Sequence, residues 1–326
     1  MTALLAPWTA PRARDDRSVR PLVALGTMNF GRRTPEREAH AIIARAIERG
    51  VTLFDTANVY ESGLSEQILG RALGGRRRDV VIASKVGLGR PGGKVEGLGR
   101  AAVLSACEGS LARLGTDIID IYYLHAPDYA TPIEETLDAV KTLLDRGSIR
   151  AFGVSNYASW QILEIVHLCD AAKMPRPVIA QQMYNLLITQ LDVEYFKFAR
   201  KHPIHTTAYN ALAGGLLARP HAFESIPEGS RFDKNAMYQR RYWSAHFFAF
   251  TKALREIAEG EGMDLAALAY AWLADRPIDS VLVGPADVAQ LDVAIDALGR
   301  RLSPESTGRI ASLQRAFAGT DATYAR

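Results

Sequence analysis

Residues 51–60, VTLFDTANVY, begin as an apolar run and then place an acid at Asp55 and a phenol at Tyr60. The apolar part has the length of a buried strand, and a helical pattern from Ser65 to Leu73 follows it. Strands that are apolar on both faces are typical of parallel sheets covered by helices. The stretch therefore predicts one strand–helix unit with polar groups at the carboxyl end of its strand.

The same unit recurs along the whole chain. The strand-like runs are LVALGTM (22–28), VTLFDTA (51–57), DVVIASKV (79–86), DIIDIYYLHA (117–126), IRAFGVSN (149–156), PVIAQQMYN (177–185), PIHTTAYNAL (203–212) and DSVLVGP (279–285). Helical patterns after the first six are Pro35–Arg49, Ser65–Leu73, Ala101–Leu114, Pro132–Arg146, Trp160–Ala172 and Leu191–Lys201. Eight such units in 326 residues favour an α/β fold that closes as a (β/α)8 TIM barrel, rather than a doubly wound sheet.

Two segments interrupt this alternation, one over residues 219–262 and the other after Arg301. We interpret them as extra helices and loops over the C-terminal mouth of the barrel. No linker divides the chain, so residues 21–326 form a single predicted barrel domain. Residues 1–20 lack the apolar segment of a secretory signal, and we expect a disordered extension and a cytoplasmic protein.

Composition excludes several classes of protein. The formal charge is only +3, from 39 basic and 36 acidic side chains, and no basic stripe is interleaved with aromatics, which argues against nucleic-acid binding. No apolar run reaches the ~18 residues that a membrane span needs. The two cysteines, Cys107 and Cys169, lack metal-ligand spacing and suggest core packing. We expect no metal site.

A glycine motif follows the third predicted strand. Gly87, Gly89 and Gly92 match GxGxxG, the pattern of a dinucleotide-binding turn. Such a turn must lead directly into a helix, with an acid about 20 residues later at the end of the next strand. Further Pro and Gly residues prolong this loop, and Glu108 falls inside a helical pattern. We interpret the match as a flexible loop.

Ionisable residues mark the ends of three neighbouring strands, which is where barrel enzymes place their chemistry. The second strand ends at Asp55 and leads to Tyr60, the third ends at Lys85, and the fourth ends at His125. Each residue has an ordinary explanation: a turn cap, a half-buried phenol, a solvated strand end and a core histidine. Together they are hard to explain this way, because a buried lysine needs a partner.

These four side chains also form a chemically sensible set. A nearby ammonium favours the phenolate and lowers the pKa of a tyrosine, so Lys85 would make Tyr60 a better proton donor. Asp55 would keep Lys85 charged and oriented. His125 could position a carbonyl oxygen against the Tyr60 hydroxyl, which predicts a general acid for aldehyde or ketone reduction.

Several motifs resemble the aldo-keto reductase superfamily: LFDTANVY, ASKV, YYLHAPD and GVSNY. The resemblance begins near Pro21 and covers nearly the whole chain, and Asp55, Tyr60, Lys85 and His125 match the family's catalytic residues. The stretches LHAPDYATPIEETL, QQMYNLLITQ, YNALAGGLL, RFDKNAMYQRRYW and the closing TYAR are similar to the aflatoxin aldehyde reductases, which include succinic semialdehyde reductases. The resemblance implies a small aldehyde or ketone substrate and permits a homodimer.

The resemblance also implies a nicotinamide cofactor. Ser155, Asn156 and Gln181 match the residues that hold its carboxamide, and Tyr209 matches the aromatic on which the ring stacks. The remaining positions implied for the cofactor are Asp55, Asn210, Ala211, Leu212, Gly214, Gly215, Leu216, Arg231, Gly284, Ala286, Asp287 and Gln290. Among them, the glycine-containing loop would let backbone N–H groups approach the pyrophosphate.

The residues at the adenosine end of this pattern support NADPH in one respect and NADH in another. Family members place hydroxyl or basic groups where Ala286 and Asp287 stand, and an acid would repel a 2′-phosphate but could accept from a free 2′-hydroxyl. Arg231 matches an arginine that contacts the cofactor in this branch. We therefore expect NADPH, with NADH as the alternative.

For the substrate, the resemblance implies that Tyr238, Arg241 and the terminal Arg326 join His125 at the mouth. Tyr238 and Arg241 lie three residues apart, so on a helix they face the same side. Two guanidinium groups and a phenol would suit a carboxylated aldehyde.

Two alternative functions stay open. One is an NAD-linked sugar or alcohol dehydrogenase on the same barrel. The other is a cofactor-binding regulatory subunit of an ion channel, a role that some barrels of this superfamily have.

Overall fold

The computed structural model describes residues 3–12 and 19–318. In these residues eight parallel strands close into a barrel in chain order. Strands β1 to β8 are Leu22–Gly26, Leu53–Asp55, Val81–Val86, Ile119–Leu124, Ile149–Ser155, Ile179–Met183, His205–Tyr209 and Ser280–Val283. Every strand lies inside a run predicted from the sequence, and the (β/α)8 fold is confirmed.

The helices surround this barrel. In the described part of the chain, α1 to α11 are Glu36–Glu48, Leu64–Leu73, Arg100–Leu114, Ile133–Asp145, Ser159–Ala171, Tyr195–Lys201, Ala236–Tyr242, Ala245–Gly260, Leu265–Ala274, Val288–Leu298 and Pro304–Ala318. The six predicted helices are present. The sixth begins only at Tyr195, because Gln190–Asp192 form a separate 3₁₀ turn. None of the helices in the described ranges is long and apolar enough to cross a bilayer.

Side chains alternate between the two faces of each strand, and the core has two parts as a result. In β3, for example, Ile82 packs in the large cluster that includes helix side chains, while Val81 and Ala83 belong to a small cluster with Ile121 and Tyr123. We assign the small cluster to the barrel interior, because its strand members alternate with those that face the helices. The barrel is therefore filled by side chains along its axis.

The N-terminal segment closes the bottom of this interior. Leu5 and Trp8 are buried in the small cluster, and the Trp8 indole Nε1 donates to Thr52 Oγ1 at 3.2 Å. The backbone N–H of Arg12 donates to Asp279 Oδ1 at 2.7 Å. For residues 3–12 the expectation of a disordered extension is therefore wrong, since apolar Leu5 and Trp8 have a pocket to fill. Residues 13–18 lie outside the described ranges.

The two interruptions of the alternation form the predicted extra helices. Helices α7 and α8 lie between β7 and α9, and α11 follows α10 and packs on α8 through Phe317, whose ring centroid is 4.8 Å from that of Phe250. Residue Arg231, which precedes α7, reaches Asn29 in the loop after β1. The insertion between β7 and α9 thus reaches a loop at the carboxyl ends of the strands.

Gly153 in β5 provides the space that the interior needs beside Tyr123. A Cβ at this position would lie 2.6 Å from Ile179 Cγ2, 2.7 Å from the Ile179 carbonyl oxygen and 2.8 Å from the Tyr123 ring. Backbone on the neighbouring strand cannot move aside easily, so the barrel excludes a side chain here.

We predict that Gly153→Ala lowers the free energy of unfolding by ~1–3 kcal/mol, the usual cost of overpacking a core. Gly260→Ala is the control, because a Cβ at the end of α8 would meet nothing within 4 Å. That substitution should be neutral or stabilise by up to ~1 kcal/mol. Urea unfolding measures both, and equal stabilities would show that β5 and β6 can separate.

Candidate active site

The alternation of strand side chains explains which groups meet at the mouth. Leu53 lies in the interior cluster, so Asp55, two residues later, also points inward. The same reasoning takes Val81 and Ala83 to Lys85. His125 immediately follows β4, two residues after Tyr123. Three predicted residues therefore extend the inward-facing rows at the carboxyl ends of neighbouring strands.

A buried ion pair lies at the centre of this group. Lys85 Nζ contacts Asp55 Oδ1, and both side chains are shielded from solvent. Nζ also donates to the backbone oxygen of Thr56 at 2.8 Å, and the other Asp55 oxygen accepts from Gln181 Nε2 at 2.9 Å. Each charged group is thus satisfied by a partner and a further hydrogen bond, as a buried pair requires.

Tyr60 and His125 complete the predicted set. Lys85 Nζ lies 3.5 Å from the Tyr60 hydroxyl, and the Tyr60 and His125 rings meet edge to face with centroids 6.0 Å apart. Tyr60 starts a short 3₁₀ turn, Tyr60–Gly63, in which Glu61 and Ser62 have positive φ. The four side chains predicted at three separate points of the sequence are therefore brought together.

The electrostatics of Tyr60 differ from the expectation. Burial raises its pKa above the ordinary value, and this loss of hydration outweighs the opposite effect of the Lys85 ammonium. Lys85 itself stays protonated. Burial alone would lower its pKa, but the effects of Asp55 and Tyr60 are larger together, so the pKa of Lys85 is raised above its ordinary value. Tyr60 is therefore a neutral phenol beside a fixed positive charge.

His125 is a neutral imidazole. Burial, assisted by the Lys85 charge, lowers its pKa to about 3. Its Nδ1 is buried without a hydrogen-bond partner among the described residues. An imidazole in this state can direct a ring nitrogen at a ligand without carrying a charge.

Amide and hydroxyl groups line the ends of β5 to β7 beside the ion pair. Asn156 Nδ2 donates to Ser155 Oγ at 3.1 Å and to the His125 carbonyl at 2.9 Å, and Asn156 Oδ1 accepts from the Tyr209 hydroxyl at 2.5 Å. Gln181 is connected to the same group through Asp55. The predicted positions Ser155, Asn156, Gln181 and Tyr209 therefore lie next to the four ionisable residues.

In the loop after β7, several of the backbone N–H groups that were expected to bind the pyrophosphate already donate to acceptors within the loop. The N–H of Gly214 donates to Asn210 Oδ1 at 2.8 Å, and that of Gly215 donates to the Leu212 carbonyl at 2.8 Å. A Cβ on Gly214 would lie 2.6 Å from the Tyr238 ring, whereas one on Gly215 would meet nothing within 4 Å. The first glycine thus admits Tyr238, and only the second leaves open space. Ala211 and Leu216, the other predicted positions in this loop, are buried.

Arg231 connects this region to the loops after β1 and β8. Its guanidinium donates to Asn29 Oδ1 at 2.7 Å, and Asn29 Nδ2 donates to the Gly284 carbonyl at 3.0 Å. Thr34 Oγ1 donates to the Ala286 carbonyl at 3.1 Å. The predicted positions Arg231, Gly284 and Ala286 therefore belong to one hydrogen-bonded rim.

Asp287 has a structural task at the same rim. Its Oδ1 accepts from the N–H of Gln290 at 2.8 Å and its Oδ2 from Gln290 Nε2 at 2.7 Å, so it caps helix α10. The Val288 N–H donates to Glu38 Oε1 at 3.2 Å. Sequence reasoning missed Glu38, which α1 brings to this position from far away in the chain. Two carboxylates thus occupy the start of α10, where an anion would otherwise be favoured.

Several arginines also lie near this rim. Burial and the charges of Arg231, Arg32 and Arg219 lower the pKa of Arg33 to about 10. Within the described ranges, Arg33 forms no ion pair with a carboxylate. Residue Arg33 was not predicted, although the Arg32–Arg33 pair directly after the first strand loop was a readable signal.

The predicted substrate residues are only partly described. Arg241 lies in α7 with its Cζ 5.8 Å from the centre of the Tyr238 ring, and Arg231 Cζ lies 5.6 Å from the same ring. The common face predicted for Tyr238 and Arg241 is therefore present. Arg241 pairs with no carboxylate in the described residues. Arg326 lies outside them.

The GxGxxG segment is a loop, as predicted. Glu96 Oε1 accepts from the N–H groups of Gly87 and Gly89 at 2.7 and 3.0 Å, and α3 begins only at Arg100. The protein's own carboxylate thus occupies the glycine amides. In the described ranges no three His, Cys, Asp or Glu side chains cluster as metal ligands would.

Known proteins resemble this chain over most of its length. The model of the Aldo/keto reductase family matches residues 22–315. A protein of Rattus norvegicus named aflatoxin B1 aldehyde reductase member 2 is 36% identical over 303 residues, which cover 87% of this chain and 81% of the relative. A protein of Arabidopsis thaliana named probable voltage-gated potassium channel subunit beta is 33% identical over 278 residues, covering 83% of this chain and 85% of the relative.

A solved structure shares the complete fold. The glycerol dehydrogenase AKR11B4 from Gluconobacter oxydans superposes with a TM-score of 0.76 at 26% identity, covering 98% of this chain and 99% of that one. The chain belongs to the aldo/keto reductase family and is an NAD(P)H-dependent oxidoreductase with a small carbonyl substrate.

Proposed function

We propose that this family member is an NADPH-dependent reductase of small aldehydes in which Tyr60 is the general acid. The observation that carries the proposal is the convergence of the neutral Tyr60 phenol, the Lys85 ammonium and the neutral His125 imidazole at one end of the barrel. When bound, the cofactor supplies a hydride. The residues of the chain supply the proton and hold the reacting oxygen.

The proton step follows from the charges around Tyr60. The phenol carries its proton at neutral pH, as an ordinary tyrosine does and as burial favours further, so it can donate to a carbonyl oxygen. Lys85, held by Asp55, then stabilises the phenolate that remains. The neutral His125 ring can donate to the same oxygen without repelling Lys85. The stabilisation is thus largest after proton transfer has begun, which is what lowers a barrier.

The groups beside the ion pair suit a nicotinamide ring. Ser155, Asn156 and Gln181 provide the hydroxyl and amide groups that match a carboxamide, and Tyr209 offers an aromatic face. The rim containing Arg231, Gly284 and Ala286 would hold the remaining part of the cofactor, together with Asn210 to Leu216 and Gln290. Since most loop N–H groups donate inside the loop, the arginines would carry most of the charge recognition.

The preference for NADPH rests on a balance of charges. Arg33, Arg219 and Arg231 favour a ligand with several negative charges. Asp287 and Glu38 at the start of α10 oppose an additional 2′-phosphate there. We therefore propose NADPH as cofactor, with a preference over NADH that these two acids weaken.

The substrate that we propose is an aldehyde with a distant carboxylate. Arg241 is a half-buried cation without an acidic partner in the described residues, and it lies against the Tyr238 ring. A cation that has lost part of its hydration gains most from a ligand carboxylate. The terminal Arg326 would add a second cation.

A role as a channel subunit is raised by the similarity to proteins named as such in plants. The arrangement around Tyr60 favours turnover, because binding a cofactor alone would not require a proton donor beside Lys85. Alcohol oxidation on the same barrel is raised by the glycerol dehydrogenase neighbour. Cofactor titration followed by assays on aldehydes and alcohols separates the three.

One prediction about function tests the general acid. Tyr60→Phe should lower aldehyde reduction by ~10²–10⁴-fold, the usual contribution of such a group, and leave the fluorescence titration with NADPH nearly unchanged. Tyr129→Phe is the control, since Tyr129 is 85% exposed. Wild-type turnover in Tyr60→Phe would refute the assignment, and an inactive wild type that binds NADPH would favour the channel-subunit role.

The second prediction concerns cofactor choice. Asp287→Ser keeps a residue that can cap α10 but removes a negative charge. The binding free energy of NADPH relative to that of NADH should therefore become more favourable by ~1–2 kcal/mol. Asp264→Ser is the matched control, because Asp264 caps α9 in the same way by accepting from the Ala267 N–H at 2.7 Å. An affinity ratio of NADPH to NADH equal to that of the wild type would mean that Asp287 does not face the ribose.

The third prediction concerns the substrate carboxylate. Arg241→Ala should raise KM for succinic semialdehyde about tenfold, which corresponds to the ~1.5 kcal/mol of a charge-assisted hydrogen bond. KM for a neutral nitrobenzaldehyde should change little. Arg240→Ala is the control, because this exposed neighbour lies on the same helix. Equal losses on both substrates would show that Arg241 supports the fold or the cofactor.

A further inference from the structure

A fully buried glutamate lies next to the turn that carries Tyr60. Glu66 belongs to the first turn of α2, which starts directly after the Tyr60–Gly63 turn. Its side chain is shielded from solvent, and it is not one of the ionisable groups at the mouth. A buried carboxylate is stable only with a cation and hydrogen-bond donors around it, so the partners of Glu66 show which elements it holds together.

The partners of Glu66 come from two other elements. Its Oε1 accepts from Ser84 Oγ at 2.5 Å, and its Oε2 accepts from Arg113 Nε at 2.6 Å. Ser84 is the residue of β3 before Lys85, and it points to the opposite face of the strand. Arg113 lies in the last turn of α3. Glu66 therefore joins α2 both to the strand that carries Lys85 and to a neighbouring helix.

Arg113 also supports the turn itself. A Cβ on Gly63 would lie 2.6 Å from both Cδ and Nε of Arg113, so this side chain packs directly against the Gly63 backbone. Gly63 has a φ of +91°, and it follows Glu61 and Ser62 with φ of +47° and +55°. Non-glycine residues keep such left-handed conformations only where the surroundings hold them. The contact with Arg113 is one of the restraints that keep the turn in place.

The distance that these contacts control is the one between Tyr60 and Lys85. Tyr60 is carried by the turn that continues into α2, and Lys85 is carried by β3. The Tyr60 hydroxyl lies 3.5 Å from Lys85 Nζ, which is the outer limit of a hydrogen bond. A small displacement of α2 from β3 would therefore break this contact and weaken the attraction between the ammonium and a phenolate.

We propose that Glu66 is a positioning residue for the reaction: it holds α2 and the Tyr60 turn against β3 and α3, and so sets the distance from the Tyr60 hydroxyl to the Lys85 ammonium. The inference rests on the proposed function, in which Lys85 stabilises the phenolate of Tyr60. Glu66 acts through the elements that carry these two groups.

Two buried serines provide a matched pair of variants. Ser84 donates to Glu66 from β3, whereas Ser110 lies in α3 and accepts from Arg113 Nη2 at 3.3 Å. Both are fully buried, and both belong to the group of side chains around Glu66 and Arg113. Ser84→Ala and Ser110→Ala delete the same atom from this group. Only the first removes the link between α2 and the strand of Lys85.

The experiment compares these variants with the wild type in turnover of an aldehyde with NADPH. We expect Ser84→Ala to lower kcat about tenfold, the scale of a small misplacement of reacting groups, with KM for the aldehyde and Kd for NADPH changed less than about threefold. The solvent isotope effect on kcat in D2O should rise, because proton donation by Tyr60 becomes slow relative to product release. Ser110→Ala should match the wild type in all four quantities.

A second matched pair tests the other partner of Glu66. Arg113→Lys and Arg77→Lys each keep a cation for a buried carboxylate but lose the guanidinium geometry. Arg77 is as half-buried as Arg113 and pairs with buried Asp120 at 2.8 Å, at the amino end of β4. Arg113→Lys should lower kcat and raise the solvent isotope effect, and its effect should not multiply with that of Ser84→Ala, because both act through Glu66. Arg77→Lys should keep the wild-type kcat.

Several outcomes would overturn the proposal. A merely structural role would lower the melting temperature and the active fraction without changing the solvent isotope effect. Equal kcat in the two serine variants would contradict the proposal as well. Crystal structures of the wild type and Ser84→Ala measure the distance from Tyr60 to Lys85 without turnover, and an unchanged distance would overturn the proposal even if the wild type does not reduce aldehydes. A wild type without aldehyde reductase activity would refute the proposed function.

Discussion

The buried ion pair between Lys85 and Asp55 is the constraint on which the site depends. A lysine without solvent contact is stable as a cation only if an anion and further acceptors surround it, and here Asp55 and the Thr56 carbonyl do so. Burying such a pair costs desolvation energy, whereas burying hydrophobic residues in its place would not. We interpret its presence as serving the chemistry, because the Lys85 ammonium lies 3.5 Å from the Tyr60 hydroxyl.

The barrel interior is also partly polar. Asp55 accepts from Gln181 near the mouth, and a separate chain of hydrogen bonds through Thr207, Ser280 and His205 ends at the Ala10 carbonyl. A polar group inserted halfway down without a partner would cost ~1–3 kcal/mol, so such a chain is stable only when complete. The N-terminal segment supplies the last acceptor of this chain, the Ala10 carbonyl.

The fold and the four central residues could be predicted because each depends on local pattern. Apolar runs predict strands, and the last inward residue of a strand must reach the barrel mouth. What could not be predicted depends on distant partners. Glu38 reaches the start of α10 only because α1 packs near it. The sequence around Leu5 and Trp8 predicts a disordered terminus, because the pocket that buries these side chains exists only in the folded barrel. Thr207 and Ser280 resemble ordinary strand residues, since the strand register that pairs them is invisible in the sequence.

The direction of the Tyr60 pKa was wrong for an instructive reason. Sequence reasoning counted the Lys85 charge but not the loss of hydration on burial, which is the larger effect on the Tyr60 pKa. A phenolate formed in advance has no proton to give, whereas a neutral phenol beside a permanent cation keeps its proton until a carbonyl oxygen gains negative charge. The same burial that makes Tyr60 a weak acid at rest makes the Lys85 charge more effective at that moment, because fewer water molecules screen it.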